Sequence, residues 1–355
     1  MKTTETETST RKGEELDLRR LGTFLHDALP TLKGDLSVRQ FPGGHSNLTY
    51  LVRIGKEEMI LRRPPLGRKA KSAHDMNREY TVLRSLHEAF PWCPKPLLYV
   101  DDASVLGSPF FLMARIDGIV IRKELPAGIA FTPEQALALN ENMVDVQVKL
   151  HAVDYKSIGL GNFGRPEGYV RRQVEGWSER YRQARTPDAP DCEGIMVWLR
   201  DRLPRDSGRA SVIHNDFKLD NMVVDANDPT RIVGILDWEM ATIGDPIMDF
   251  GNILAYRVQE DDPPDLKLMR FMPEPLEFAL TRKAQIELYE RKSGLSCDDI
   301  NFYYAFGLFR LAVIAQQIYY RYYHRQTSDK RFEMMIVAVQ ILERAAGRTI
   351  EQGFR

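Results

Sequence analysis

The chain has 355 residues and a formal net charge of −1, with 43% hydrophobic and 28% charged residues, a composition typical of a globular protein with room for two lobes. The near-zero charge provides no overall field that would attract nucleic acid or an anionic membrane, so we expect neither as a partner. Three widely spaced cysteines match no metal or disulfide pattern, and the polar start lacks the apolar core of a signal peptide, which together favour a cytoplasmic protein.

The first ~120 residues are predicted to consist of strands with few helices. Residues 1–15 are polar and rich in Thr and Glu, which indicates a disordered tail. One helix is predicted over residues 16–29, and another over SAHDMNREYTVLRSLHEAF, where apolar residues recur at the helical spacing. Five short runs are typical of β-strands, and the first three are expected to form an antiparallel meander. These runs are LSVRQF, NLTYLVRIG, EEMILRRP, PLLYVDD and SPFFLMARIDG.

From Pro133 onward the chain is predicted to be mostly helical. The first of these helices carries a proline in its first turn, and two short strands then carry the segments VIHNDFKLDNMVVD and RIVGILDWE. Arg and Gln residues interrupt the apolar segment 302–323, which favours a buried helix over a membrane span. Gly and Pro cluster after residue 117, so we predict an N-terminal lobe over 16–117 and a C-terminal lobe over 118–355. The long helices are expected at about 133–153, 277–293, 298–324 and 329–348.

Polar residues of a catalytic type follow both short strands. The segment HNDFKLDN brings in His214, Asp216 and Asn221, and LDWE brings in Asp237 after a second apolar run. Asp216 could accept or orient the proton of an attacking hydroxyl, and Asn221 and Asp237 offer oxygen ligands of the kind that Mg²⁺ prefers. A turn held by Asx hydrogen bonds would explain the first three residues. The independent arrival of a second acid at Asp237 favours a metal-assisted catalytic site.

The order of the parts carries a resemblance to a known family. A glycine loop, a basic residue ending the third strand, a helix Glu, H-x-D-x-x-x-x-N and a later Asp are the set that phosphoryl transfer requires. The chain therefore resembles the aminoglycoside-phosphotransferase family of kinase-like enzymes, and within it the branch also found fused to acyl-CoA dehydrogenases. The segments HNDFKLDN, LDWEMATIGDPIMDFG and LHAVD carry the resemblance most specifically.

The resemblance implies an α+β, protein-kinase-like bilobal fold, with a small antiparallel-sheet N-terminal lobe that has one main helix and a larger, mostly helical C-terminal lobe. It implies ATP and Mg²⁺ as cofactors and transfer of the γ-phosphoryl group to a hydroxyl of a small-molecule substrate. No oligomeric state is predicted.

Nucleotide-binding residues follow from the same order. Gly43 and Gly44 would let backbone N–H groups approach phosphate closely, although a plain hairpin turn has the same appearance. Strand alternation places Ile60 and Arg62 on one face, so Ile60 could cover the adenine while Arg62 reaches the α/β-phosphates. Arg62 stands where related kinases carry Lys, and Glu79 is its expected helix partner unless it is a solvated surface residue.

Further residues are expected to contact the nucleotide or to support the site. The resemblance implies that the connector FFLMARIDG contacts the adenine edge through its backbone at Met113, Ala114 and Arg115. Glu239 could touch a metal-bound water or be structural. The residues expected to hold the catalytic residues in place rather than to react are His214, Glu239, Asp245 and Asp249.

A basic stripe on a C-terminal helix bears on the acceptor. Arg310, Gln317, Arg321 and His324 recur on one face of the predicted helix. If this face lines the site, Arg310 and Arg321 suit an acidic acceptor such as a hydroxy acid or a hydroxyacyl thioester. The stripe is equally well explained as the solvated face of a core helix, and the acidic loop QEDDPPD argues in the opposite direction.

Three alternative functions stay open at this point. The first is an aminoglycoside-type antibiotic phosphotransferase. The second is a catalytically silent nucleotide-binding protein of the same fold, which the Arg62 departure favours and the intact set of Asp216, Asn221 and Asp237 disfavours. The third is a protein kinase, which is disfavoured because H-R-D kinases carry Arg where this chain has Asn215.

Overall fold

A computed structural model describes residues 8, 10–41, 47–65, 75–205, 208–327 and 329–353. The chain forms two compact units, one made of residues 1–120 and 221–241 and the other of residues 121–220 and 242–355. The first contains a small antiparallel sheet and the second is mostly helical. The predicted α+β class, with a strand-rich and a helix-rich part, is therefore confirmed.

The first unit is built on a five-stranded antiparallel sheet with strand order β1-β2-β3-β5-β4. The predicted meander is present, because β1 pairs with β2 and β2 with β3 in antiparallel register. Apolar side chains of the sheet, with Leu21 and Leu25 of the first helix, form a core. The elements are α1 (Leu18–Ala28), β1 (Leu36–Gln40), β2 (Leu48–Ile54), β3 (Glu57–Arg63), α2 (Met76–Leu86), β4 (Pro96–Val100), α3 (Ala103–Leu106) and β5 (Phe110–Ala114).

Helix α2 presents a mixed face to the interior. Asp75 caps its N-terminus by accepting a hydrogen bond from the backbone N–H of Arg78 at 3.1 Å. Val82, Leu83 and Leu86 are buried on the face that also carries Glu79. Because Glu79 lies on the same side of α2 as these apolar residues, its side chain is buried with them.

The segment 221–241 returns to the first unit. It contributes β8 (Met222–Val224) and β9 (Ile232–Ile235), which form a three-stranded sheet with β6 (Ile119–Val120) in the order β6-β8-β9. Trp92 fastens β9, because its Nε1 donates to the carbonyl of Ile232 at 2.9 Å and its own carbonyl accepts from the N–H of Ile235 at 2.7 Å. The segment 221–241, which we predict in the C-terminal lobe from sequence, therefore packs with the N-terminal residues.

The end of the predicted disordered tail lies against the sheet. Thr8 forms a bridge with Gln40, and the backbone N–H of Arg11 donates to the side chain of Gln40 at 2.8 Å. The hydroxyl of Tyr50 donates to the carbonyl of Glu14 at 2.7 Å. The described part of the tail predicted over residues 1–15 therefore contacts the sheet, because β1 is an edge strand whose polar groups the approaching chain can satisfy.

The second unit consists mainly of helices. Its α4 (Pro133–His151) begins with a capping box formed by Thr132 and Gln135. Its two-stranded sheet pairs β7 (Ser211–Ile213) with β10 (Thr242–Gly244) in antiparallel register. The other helices are α5 (Tyr169–Ala184), α6 (Glu193–Asp201), α7 (Pro246–Ala255), α8 (Pro264–Lys267), α9 (Glu274–Glu277), α10 (Arg282–Ser293), α11 (Ile300–Tyr323) and α12 (Met335–Gln352).

The last three helices differ in how well the sequence predicted them. Helix α10 begins a few residues later than expected, because Thr281 caps it by accepting the backbone N–H of Ala284. Helix α11 contains the apolar segment 302–323 and is buried along most of its length, as expected. Helix α12 begins at Met335, because Lys330–Met334 form a 3₁₀ turn. Among the described residues, no helix combines the length and the apolar character that crossing a membrane would take.

Candidate active site

In the first unit, Arg62 of β3 is the centre of a buried ionic cluster. Its Nη1 lies 3.0 Å from a carboxylate oxygen of Glu79 on α2, and its Nη2 lies 2.9 Å from Asp237 and 3.7 Å from Glu239. The side chains of Arg62 and Glu79 are only 9% and 1% exposed. The structure therefore brings together Arg62 and the helix partner predicted for it, and adds two carboxylates from the returning segment.

The charges of this cluster do not balance. Burial raises the pKa of Glu79, and the neighbouring carboxylates of Asp237 and Glu239 raise it further, although Arg62 opposes them. Burial alone would lower the pKa of Arg62, but the three carboxylates hold it above its ordinary value, so the guanidinium stays charged. Because the pKa of Glu79 is raised to about 8, this group is mostly protonated at neutral pH. The carboxylates of Asp237 and Glu239 then face the single charge of Arg62, which leaves room for a further positive charge.

Asn221 and Asp237, the two predicted Mg²⁺ ligands, lie on adjacent pieces of backbone. The carbonyl of Asn221 accepts a hydrogen bond from the N–H of Leu236 at 2.7 Å, one residue before Asp237. Asp237 has a φ of +65°, a conformation that costs a non-glycine residue on the order of 1 kcal/mol or more and is common at functional sites.

The donor set fits Mg²⁺. No group of three His, Cys, Asp or Glu side chains in the described ranges is arranged to hold a metal by itself. Mg²⁺ usually needs only one or two carboxylates and takes its remaining oxygen ligands from phosphates and water. An amide and a carboxylate at Asn221 and Asp237, beside surplus negative charge, meet that requirement.

Asn47 is a member of this cluster that sequence reasoning missed. It is 2% exposed, and its Nδ2 donates to the carboxylate of Glu239 at 2.7 Å. Glu239 is thus held between Asn47 and Arg62. The sequence did offer an indication of this role, because Asn47 is a polar residue at the end of the segment PGGHSN, directly before β2.

Of the other residues predicted to bind the nucleotide, the structure describes some and not others. Gly43 and Gly44 lie outside the described residues. Ile60 is buried on β3, two residues before Arg62. The N–H of Ala114 donates to the carbonyl of Lys95 at 2.8 Å, and contact of the Ala114 backbone with adenine stays a prediction.

Met113 and Arg115 flank Ala114 in the connector. Met113 is buried at the end of β5. The side chain of Arg115 pairs with Glu58 and lies 3.6 Å from Asp117. The contact predicted with adenine is through the backbone of Met113 and Arg115, and it stays a prediction.

In the second unit, the loop that carries Asp216 is held at several points. The carboxylate of Asp249 accepts hydrogen bonds from two successive backbone N–H groups, those of His214 at 3.3 Å and Asn215 at 2.7 Å. The ring of His214 is fully buried, and its Nδ1 accepts the N–H of Asp216 at 3.2 Å. Asn215 has a φ of +64°, which Asn tolerates better than most residues.

Asp249 is itself anchored by a buried polar chain. His151, in the segment LHAVD, lies with its Nε2 3.1 Å from Asp249 and its Nδ1 2.7 Å from the hydroxyl of Tyr289. Burial alone would raise the pKa of Asp249, but its bond to His151 and the backbone N–H groups hold the pKa below its ordinary value. Asp245 caps α7 by accepting the N–H of Met248 at 2.8 Å, and its predicted support of the catalytic loop stays a prediction.

The carboxylate of Asp216 is surrounded by donors. Tyr256 donates its hydroxyl to Oδ1 at 3.0 Å, and Nζ of Lys218 lies 3.3 Å from Oδ2. Burial alone would raise the pKa of Asp216, but the charges of Lys218 and Arg310, with the hydrogen bond from Tyr256, keep it below its ordinary value. Asp216 is therefore ionised at neutral pH, which suits a group that orients a hydroxyl.

Lys218 and Tyr256 were not predicted as site residues. Lys218 stands in HNDFKLDN two positions after Asp216, so its charge was visible in the motif itself. Tyr256 comes from the far end of α7, forty residues along the chain, and no local pattern connects it to Asp216.

Arg310 is buried, so the solvated helix face that was the alternative explanation of the basic stripe does not describe this residue. It is 2% exposed, donates to the carbonyl of Asn215 at 2.8 Å and lies 5.2 Å from the ring of Trp177. Its side chain is therefore committed to the backbone of the Asp216 loop. Arg321 is eleven residues further along α11, about 16 Å along the axis. Contact of Arg310 or Arg321 with the acceptor stays a prediction.

Comparison with known proteins identifies what the chain resembles. The model of the phosphotransferase enzyme family matches residues 37–272. Acyl-CoA dehydrogenase family member 11 of Rattus norvegicus is 31% identical over 315 residues, which are 87% of this chain and 40% of that protein. The chain thus spans well under half of the length of this curated relative.

Two solved structures extend the comparison. A "putative aminoglycoside phosphotransferase" from Ralstonia eutropha is 27% identical, with a TM-score of 0.81 over 96% of this chain and 100% of that one. A thermostable mutant of aminoglycoside phosphotransferase APH(4)-Ia, in a ternary complex with AMP-PNP and hygromycin B, is 15% identical, with a TM-score of 0.56 over 94% of this chain and 98% of that one. At that identity the second likeness shows the fold alone.

Proposed function

Because the chain belongs to the phosphotransferase enzyme family, we propose that it is an ATP- and Mg²⁺-dependent enzyme that transfers the γ-phosphoryl group to a hydroxyl of a small molecule. The observation that carries the proposal is the buried Arg62, bonded at once to Glu79 and Asp237. Kinase-like enzymes need a cation on the third strand, a helix glutamate that holds it and an aspartate that binds the metal. Arg62, Glu79 and Asp237 supply these three parts.

Each residue has a role in the proposal. Arg62 binds the phosphates of the nucleotide, and Glu79 fixes its guanidinium. Asn221 and Asp237 would hold Mg²⁺, which when bound neutralises charge on the phosphates. Asp216 orients the acceptor hydroxyl, and its lowered pKa makes orientation a larger part of its contribution than proton abstraction.

The proposed acceptor is a hydroxy acid or a hydroxyacyl thioester. Lys218 places a positive charge beside Asp216. Two of the four acids of the acidic loop are paired within the protein, since Asp262 pairs with Arg282 and Asp265 lies 3.0 Å from Arg344. A polycationic aminoglycoside would need carboxylates that are not already paired, whereas an acidic acceptor needs the cation. The curated relative's name, which refers to acyl-CoA dehydrogenases, agrees with an acyl-type acceptor.

Nucleotide binding is tested by thermal unfolding with and without ATP and Mg²⁺. A ligand at 100 times its Kd stabilises the native state by about 2.7 kcal/mol, so the unfolding midpoint should rise. Asp237→Ala should remove the Mg²⁺-dependent part of that rise. An unchanged midpoint for the wild-type chain at millimolar MgATP would contradict the proposal.

Transfer is tested with a panel of hydroxy acids and hydroxyacyl-CoA thioesters, followed by phosphorus NMR of the product. A panel of aminoglycosides is the control, and phosphorylation confined to that panel would favour the antibiotic-modifying alternative. Asp216→Asn should keep the MgATP-dependent rise in midpoint and lose about 100-fold or more in kcat. Binding of MgATP without transfer to either panel or to water would favour the silent nucleotide-binding alternative.

A further inference from the structure

We propose that Tyr256 is a positioning residue of the transfer reaction, whose hydroxyl holds one oxygen of the Asp216 carboxylate and so fixes the direction of the other. The inference rests on the proposed function, in which Asp216 orients the acceptor hydroxyl. Tyr256 contacts Oδ1 at 3.0 Å, while Lys218 lies 3.3 Å from Oδ2. Because the two contacts fall on different oxygens, the carboxylate cannot rotate about its Cβ–Cγ bond without losing both.

The ring of Tyr256 is fixed by packing, so its hydroxyl can hold the Asp216 carboxylate in one orientation. The residue is 8% exposed and packs edge-to-face against Phe271, with ring centroids 5.1 Å apart. The ammonium of Lys218 lies 5.5 Å from the centroid of the Tyr256 ring. Packing on the ring and bonding at the hydroxyl leave the side chain little freedom.

Helix α7 connects Tyr256 to the other support of the loop. Asp249, near the start of α7, holds the backbone of His214 and Asn215, and Tyr256 follows it by seven residues at the carboxyl end. Seven residues are about two turns, or about 10.5 Å, and bring a side chain back to the same face. One buried helix therefore sets both the backbone of the loop and the orientation of its carboxylate.

The contact also bears on the titration of Asp216. The charged and polar groups that act on this carboxylate are Lys218, Arg310, His214 and Tyr256, while Asp220 faces Lys218. A donated hydrogen bond favours the ionised carboxylate. Removing the hydroxyl of Tyr256 should therefore raise the pKa of Asp216, and the acid limb of the activity profile should move to higher pH.

The test compares Tyr256→Phe with Tyr181→Phe. Tyr181 is also buried and lies in the same unit, but its hydroxyl donates to the carbonyl of Pro190 at 2.7 Å rather than to the Asp216 loop. Turnover of MgATP is measured with 3-hydroxybutyrate and with water as the acceptor. The titration of Asp216 is followed by NMR of ¹³C-labelled aspartate carboxyl groups, and Asp216→Asn identifies its signal.

We expect Tyr256→Phe to lower kcat about ten-fold or more, to change the KM for ATP less than about two-fold and to raise the pKa of Asp216. Tyr181→Phe should lower only the thermal midpoint. The inference is overturned if either the titration of Asp216 or kcat is the same in Tyr256→Phe as in the wild type. A wild-type chain that turns over no MgATP contradicts the proposed function first, before any variant is compared, and the inference then falls with it.

Discussion

Arg62 stands where related kinases carry lysine, and its contacts show what the larger side chain adds. Its two terminal nitrogens reach Glu79 at 3.0 Å and Asp237 at 2.9 Å, on two different elements. A lysine ammonium is a single compact charge and lacks the planar fork that allows both contacts at once. Removing the guanidinium would leave the buried carboxyl group of Glu79 without its partner, which is costly.

We therefore expect Arg62→Met to lower the free energy of unfolding by about 3–5 kcal/mol, and Arg62→Lys to lower it by less. Urea denaturation provides the measurement. Arg182→Met is a matched control, because Arg182 forms a two-pronged pair with Glu193 but both side chains are about half exposed, so its loss should cost about 0.2–1 kcal/mol. Equal losses in Arg62→Met and Arg182→Met would show that burial of the Arg62 cluster does not matter.

For single residues, the sequence predicts contacts that depend only on the order of neighbouring elements along the chain. The pairing of Arg62 with Glu79 is an example, since it depends only on one strand and the next helix. Arg310 shows the limit, because helical spacing indicates which residues share a face and not what that face contacts. Tyr256 could not be predicted, since its contact with Asp216 depends on how α7 packs.

Among the elements, α7 shows how closely two helices can approach. All ten of its residues are buried. A Cβ added at Gly251 would lie 2.6 Å from the Cβ of Tyr303 on α11, and one added at Gly307 of α11 would lie 2.8 Å from the Cβ of Ala255. Two glycines thus allow α7 and α11 to touch, and this contact fixes the helix that carries Asp249.

We expect Gly307→Ala to lower the free energy of unfolding by about 1–3 kcal/mol, because the added methyl overpacks the contact. Gly347→Ala in α12 is the control, since nothing lies within 4 Å of its added Cβ, and its better helix propensity should stabilise the protein by about 0.5–1 kcal/mol. Chemical denaturation of both variants measures the difference. A stabilising effect of Gly307→Ala would contradict the close approach of α7 and α11.

The sequence predicted some helices well and missed others for different reasons. Helix α7 has no exposed face, so the polar–apolar periodicity that indicates a helix is missing. Helix α5 was missed although the signal exists, since Val174, Trp177 and Tyr181 recur at helical spacing and are buried. The strands β1 to β3 were predicted because short turns join them, and a local signal is sufficient for such neighbours.

For the whole molecule, no single cut along the chain separates the two units, because each unit contains two separate segments. The chain passes from one unit to the other after Val120, after Asp220 and after Ala241. The first unit therefore needs residues 221–241, which supply β8 and β9 and the carboxylates of Asp237 and Glu239 that contact Arg62. Pairings across about a hundred residues leave no local pattern, so this return could not be read from the sequence.

This path predicts how the first unit behaves alone. Residues 1–120 should fail to unfold cooperatively, because β6, Trp92 and Arg62 then lose the contacts that residues 221–241 supply. A chain that joins Val120 to Asn221 through a short turn should restore cooperative unfolding, since Val120 pairs with Val223 in antiparallel register and a hairpin of a few residues can close that gap. Thermal unfolding followed by circular dichroism compares the two chains, with Arg62→Met in the joined chain as a control that should weaken it. A cooperative transition of equal midpoint for residues 1–120 alone would show that the returning segment is dispensable, because the partners it supplies would then contribute nothing measurable to the stability of the sheet.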